Sequence, residues 1–423
     1  MNGKFQETLK QEDLPIWARH DAFPPARDGF GWIDRKGIPH NCNSLTEISD
    51  RIRNDPENPI LFVWTPNSDF CQLPDEVDEL REPIHEVRKL WAIEDLASSQ
   101  KQLRLVSSLA AIFIAYTAYG EWMLIQEIEK ANGLDYPFFQ ELIDLLFSLI
   151  QSTAVGVALL GFLIFAFIPW YQALKYHREI HLPDVARESA IPVLRFETWL
   201  SFQKSPVTKL IFIAIAIVFV AQVIGDLSII GFDKSIHEAG LVKSKYADGE
   251  FSRLFTAPLL HGGLLHFVMN IMALLYLGKR MEVFARWAHL PTVFLFSALM
   301  AGEASARLIT APSVGASGGL MGWLGFLLVF ETLHHRLVPR TARRRLLAGV
   351  FLTALIGLIG YRFIDNAAHF GGLIAGMIYA GMVFPKSSSP LRPSINITDR
   401  IVGSVCLTVI FYSSGLAVMR ILS

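Results

Sequence analysis

Cysteine is scarce: three residues, at positions 42, 71 and 406, are spread over 423. That scatter excludes a disulfide-built scaffold and supplies no thiolate set for a metal. No HExxH occurs, so neither a metal nor an organic cofactor is expected. Charge is thin, at 18% against about 25% in an ordinary soluble domain. Neither sign dominates. Lys and Arg number 38 and Asp and Glu 39, a formal charge of -1, which argues against a nucleic-acid partner. The start, MNGKFQETLKQEDLP, has no apolar stretch, so no cleaved signal peptide is expected. What is abundant is apolar surface: 52% of the residues are hydrophobic, 30 of them Phe, and 30 Gly come besides. A bilayer is the place for that surplus.

The first hundred residues differ from the rest. The pattern there gives a short strand near Gly31–Ile33, a helix beginning around Thr46 and a second strand at Ile60–Trp64. Residues 1–100 read equally as a small cytoplasmic adaptor domain, whose partner the sequence does not name, or as a plain linker domain. Beyond Lys101 the apolar runs reach roughly 17–25 residues, the length that crosses a bilayer. They lie near Leu105–Met123, Ser148–Trp170, Leu210–Leu227, Leu264–Val283, Leu290–Leu308, Ser317–Leu333, Leu346–Tyr361, Ala367–Val383 and Ile401–Met419.

The charges between them set an orientation. Basic connections carry Arg336, Arg340 and Arg343–Arg345; Lys279, Arg280 and Arg286; Lys386, Arg392 and Arg400; and Lys175, Arg178, Arg187, Arg195, Lys204 and Lys209. The alternate connections do not: Gln126–Pro137 holds Glu127, Glu129 and Asp135 against one Lys, and Gly302–Gly315 holds Glu303 and Arg307. Nine spans then place the N-terminus in the cytoplasm and the C-terminus outside.

That orientation aligns three polar groups. The runs from Leu264, Ser317 and Ala367 all start on the outer side, and each has an unusual polar residue in or near its first turn. These are His261, His266 and Asn270 in HGGLLHFVMN, Ser317 in GASGG, and Asp365 and His369 in DNAAHFGG. Polar groups at one depth of three helices converge on a bundle interior or a water cavity. His266 and Asn270, four apart, share a helix face. Ser317 opens a helix where backbone N–H groups lack partners, so a negative charge developing beside it could be held there. His369 could take and return its proton. Gly318 with Gly322, and Gly372 with Gly376, form two small-residue faces that would let the backbones approach. Taken singly, each has a plainer reading: Ser317 as a helix cap, His369 as an interfacial histidine, His266 with Asn270 as a polar clasp.

At these residues the sequence resembles the rhomboid family of intramembrane serine proteases. The resemblance runs from about Lys209 to Phe384 through GEFSRLFTAPLLHGGLLHFVMNIMALLYLGKRME, SVGASGGLMGWLGF and IDNAAHFGGLIAG. It implies an all-α polytopic membrane protein with a six-helix rhomboid-like core, two additional N-terminal spans and one additional C-terminal span. The organisation expected is 1–100, the N-terminal region; 101–208, two extra spans and a basic connection; 209–384, the protease core; and 385–423, a linker and a last span. Ser317 would be the nucleophile and His369 its base, with no third acid. His266 and Asn270 resemble the oxyanion-side residues. His261 is similar to the upstream histidine that shapes the cavity, and Gly315 and Gly318 fit the turn around the serine. Glu282 and Arg253 match structural positions, and Ser228–Pro258 matches a first external loop lying partly in the membrane. Two positions depart from the family: Met321 stands where an aromatic is frequent, and Phe251–Ser252 precede Arg253 where tryptophan is common.

The function implied is cleavage of transmembrane segments of membrane proteins near the external face, with a preference for small residues at the cut and helix breakers nearby. The localisation expected is integral to the membrane, a bacterial inner membrane, with the N-terminus cytoplasmic. The rivals are a catalytically inactive rhomboid-like protein that binds membrane clients, and a transporter. No internal duplication supports the latter.

Overall fold

A computed structural model describes residues 11–133, 136–181 and 190–423. The polar stretch 1–10 and the charges Asp135 and Arg187 lie outside the described residues. The chain folds as two compact units. One comprises His20–Leu194 with Thr353–Ile364; the other comprises the segment up to Arg19, Arg195–Leu352 and Asp365–Ser423.

In the first unit, three antiparallel strands stand in the order β2-β1-β3, with β1 at Phe30–Asp34, β2 at Pro39–Cys42 and β3 at Ile60–Trp64. The β1–β2 turn is closed by Asp34, whose Oδ1 accepts from the Lys36 and Ile38 backbones at 2.9 Å, and by Gly37 at φ 80°. Strand β2 escaped the sequence reading because PHNC has neither alternation nor β-branched residues. It is an edge strand, where a proline is tolerated. Helix Leu45–Asn54 is capped by Ser44 and sets Ile48 against Val63, Val77 and Leu80. Leu80 already belongs to a helix of 55 residues, Asp78–Asn132. Its first turns close the small core, and its later turns expose Leu105, Leu109, Ile112 and Tyr116. One rod therefore joins the polar region to the first apolar run, through residue 100. Thr153–Phe162 and Ile168–Glu179 run on through one π-helical turn and return along it, with Gln102 Nε2 donating to the Phe165 carbonyl at 2.8 Å.

All nine apolar runs are helical over nearly their whole length. Among the described residues, four helices are long and apolar enough to cross a membrane: Asp78–Asn132, Thr153–Glu179, Pro206–Asp226 and Ile397–Leu422. Counting Arg253–Leu259 with Leu264–Ala285, a pair bent by 91°, makes five. Others, such as His289–Leu308 and Asn366–Val383, carry the small and polar residues of a bundle interior, which lower their hydropathy. The protein is an all-α polytopic integral membrane protein with a small appended sheet.

The second unit is built around helix Ser317–Leu333, which packs with His289–Leu308 and Asn366–Val383 so that each of the three touches the other two. Glycine makes this possible. A Cβ on Gly372 would collide with the carbonyl of Gly318, and one on Gly376 with that of Gly322. The two small-residue faces do meet, backbone on backbone. The opposite end of Ser317–Leu333 is pinned to helix Leu264–Ala285 by Arg280, whose Nη2 and Nε reach the Glu331 carboxylate at 2.8 and 2.5 Å with both residues buried. This corrects the sequence reading of Arg280 as a loop charge: it lies within Leu264–Ala285 and is neutralised internally. Glu282, one turn from the end of that helix, accepts from the Val207 and Thr208 backbones at 3.0 and 2.9 Å. It thereby caps Pro206–Asp226 from a neighbouring helix.

Candidate active site

The loop between Asp226 and Leu264 is ordered by Arg253, which is buried although charged. Its Nη1 donates to the His237 and Gly240 carbonyls at 3.1 and 2.7 Å, and its Nε to Glu250 at 2.9 Å. Short helices Asp233–Ala239 and Lys243–Ala247 hang on that scaffold. Gln222 clamps the next stretch by accepting from the His261 backbone N–H and donating to its carbonyl, both at 2.9 Å. His261 is thus held as a buried wall, edge-on to His266 with 5.2 Å between ring centroids. Gln222 was missed by the sequence reading, since one Gln in an apolar run reads as ordinary bundle polarity.

His266 sits one turn into its helix. The Gly262 backbone donates to its Nδ1 at 3.2 Å, so the ring proton belongs on Nε2. That Nε2 faces the serine turn: a Cβ placed on Gly315 would stand 2.9 Å from it and 3.8 Å from Ser317 Oγ. Gly315 also adopts φ 125°, which side chains rarely reach. A histidine ring, a glycine and the serine hydroxyl therefore share one corner. Asn270 is buried beneath, its Nδ2 donating to the His266 carbonyl at 2.8 Å.

Ser317 is the first residue of its helix, so its N–H has no acceptor from a preceding turn. Across from it, Gly318 lies against the backbones of Ala368 and Gly372, which flank His369. The Nδ1 of His369 is buried without a partner, and no hydrogen bond joins its ring to Ser317 among the described residues. Such bonds often tighten only when substrate binds. His261, His266, Asn270, Gly315, Ser317, Gly318 and His369 are thus assembled at one end of the glycine-packed helices.

One layer out is a network that the sequence reading did not find. Asp365 caps the His369 helix, its Oδ1 accepting from the Ala368 N–H at 2.9 Å. Its other oxygen accepts from Ser305 and, at 2.7 Å, from Ser313. Lys243 Nζ donates to Ser305 at 2.7 Å. Burial pulls the Lys243 amine down to about 8, with the Asp365 charge opposing that fall. Asp365 was visible in DNAAHFGG, but its partners come from three distant elements and carry no local signal. Among the described residues no group of three metal-ligating side chains gathers.

Residues 248–386 match the Rhomboid domain model. The rhomboid protease GluP of Bacillus subtilis is 30% identical over 151 residues, 34% of this chain and 29% of its own length. The mitochondrial RHOMBOID-like protein 6 of Arabidopsis thaliana is 35% identical over 128 residues, 29% of this chain and 41% of its own. Inactive rhomboid protein 1 of Papio anubis is 30% identical over 142 residues, 33% of this chain and 16% of its own. The chain thus spans less than half of each of these relatives. Over residues 248–386 the chain carries a rhomboid domain.

Proposed function

We propose that the protein is an intramembrane serine endopeptidase working through a Ser317–His369 dyad. The observation that carries this reading is the backbone contact of Gly318 with Gly372. It brings the start of the Ser317 helix against the helix that bears His369, with His266 at the same corner. The name of GluP as a protease points the same way. One matched relative is named an inactive rhomboid protein, but Ser317, His369, His266 and Asn270 are all present here, and a client-binding role does not require them.

The chemistry follows from the atoms. A locally unwound transmembrane segment presents its carbonyl to Ser317 Oγ, and His369 takes the hydroxyl proton as the carbon–oxygen bond forms. The oxyanion meets three donors: the Ser317 N–H, the His266 Nε2–H fixed by Gly262, and the Asn270 amide. His369 then protonates the departing amine, and water hydrolyses the acyl-enzyme. His261, buried and clamped, keeps the cavity's shape. Gly315 and Gly318 leave room for the turn and the neighbouring helix.

The nine helical runs are nine spans in this reading, with the basic connections and the N-terminus on the cytoplasmic side. Residues 1–100, 101–208, 209–384 and 385–423 are then an appended region, two extra spans, the protease core and a last span. The orientation rests on the alternation of basic and non-basic connections. A fluorophosphonate probe tests the nucleophile: the parent is labelled, and Ser317→Ala and His369→Ala are not. Equal labelling of Ser317→Ala and the parent refutes it.

A further inference from the structure

Three connections that the sequence places on one basic side meet at a cavity of about 420 Å³. Lys204 lines it from just before Pro206–Asp226, Arg286 from just after Leu264–Ala285, and Arg392 from just before Ile397–Leu422. Trp287 stands beside them. The acid in the lining, Glu282, is already committed, because its oxygens accept from Val207 N–H at 3.0 Å, Thr208 N–H at 2.9 Å and the Thr208 hydroxyl at 2.8 Å. The lining therefore carries three cations against one carboxylate whose oxygens are turned to neutral donors, an excess of two positive charges.

The two guanidinium groups are arranged at a cost. Arg392 Nη1 donates to the Val283 carbonyl at 3.0 Å and Arg286 Nε to that of Pro393 at 3.2 Å, which ties both heads to adjacent backbone. Arg392 Nε is buried with no hydrogen-bond partner. Burial and the neighbouring Arg286 both work against the charge of Arg392. Arg286 itself stands at φ 73°, ψ 157°, a region nearly reserved for glycine, and it is one of two non-glycine residues with positive φ among those described. Like charges brought together, an open buried donor and a strained arginine each weaken a fold unless something anionic supplies acceptors.

We propose that this cavity binds the phosphodiester headgroup of an anionic phospholipid. The guanidinium groups of Arg286 and Arg392 would meet the phosphate oxygens, Lys204 would stand at the entrance, and Trp287 would lie at the depth where indoles favour the membrane interface. Position selects lipid over free phosphate. Lys204 and Arg392 immediately precede two helices that are long and apolar enough to cross the bilayer, so the cavity lies where headgroups lie.

The test uses the delipidated full-length protein and three probes: phosphatidylglycerol, phosphatidylcholine and inorganic phosphate. Binding is read by native mass spectrometry and by thermal shift. The expected result is retention of one phosphatidylglycerol in preference to phosphatidylcholine. Its affinity should fall about fivefold for each cation removed, in Arg286→Gly and in Lys204→Gln/Arg392→Gln. Arg286→Gly relieves the backbone, so without lipid it should melt no lower than the parent, which separates lost binding from lost folding. Equal retention of both lipids, unchanged affinity in the variants, or inorganic phosphate binding as tightly as phosphatidylglycerol would overturn the proposal. None of these readouts depends on peptide cleavage.

Discussion

At the scale of single residues, the site depends on which hydrogen each donor can offer. Gly262 occupies Nδ1 of His266, leaving Nε2–H free toward Gly315 and the serine turn. His266→Ala or Asn270→Ala should therefore lower kcat for a transmembrane reporter by roughly 10²–10³-fold while leaving Ser317 in place. A steady-state comparison of purified variants checks this, and an unchanged kcat in both would remove them from the oxyanion side. The candidate residues Ser317, His369, His266 and Asn270 could be proposed from the sequence because each is a polar group in or near the first turn of an apolar run. Gln222, Lys243, Ser305 and Ser313 could not. Their bonds join positions dozens of residues apart, and nothing in a neighbouring residue announces them.

At the scale of helices, the glycine faces decide whether the serine can approach the histidine. A methyl group on Gly372 or Gly376 meets a backbone carbonyl that cannot turn away, whereas Gly381 faces open space. Gly376→Ala should lower Tm and abolish cleavage, and Gly381→Ala should do neither. Thermal unfolding in detergent beside the cleavage assay distinguishes them. The cap is a separate support. Asp365→Ala should cost about 1 kcal/mol, as cap losses do, and Asp365→Asn should recover most of it. Lys243 adds a pH dependence. Its folded value of about 8 lies below the ordinary 10.5, so its burial penalty is complete below pH 8 and is relieved between about 8 and 10.5. The Tm of the parent relative to Lys243→Met should therefore rise between pH 7.5 and 10. A fall over that interval would contradict the burial of the charged amine. Helices and their order could be read from the apolar runs alone. The partner of Arg280 could not, since an arginine after a long apolar run reads as a loop charge until Glu331 is found beside it.

At the scale of the whole molecule, a rhomboid domain is carried with a sheet-bearing region, a 55-residue helix that joins that region to the apolar part, and a last apolar helix. Composition made the membrane legible, and the three polar groups at one depth made the site legible. The count of spans is less so, because interior helices rich in glycine and polar residues look less apolar than those facing lipid. Nine spans require the two termini on opposite faces of the membrane. Reporter fusions at each end test this, and both reporters on one face would refute that count. The central claim is that Ser317 and His369 cut a peptide bond together. Its most direct measurement is cleavage of a reporter transmembrane substrate by purified parent, Ser317→Ala and His369→Ala proteins. The account predicts product from the parent and none from either variant; equal cleavage by all three would contradict it.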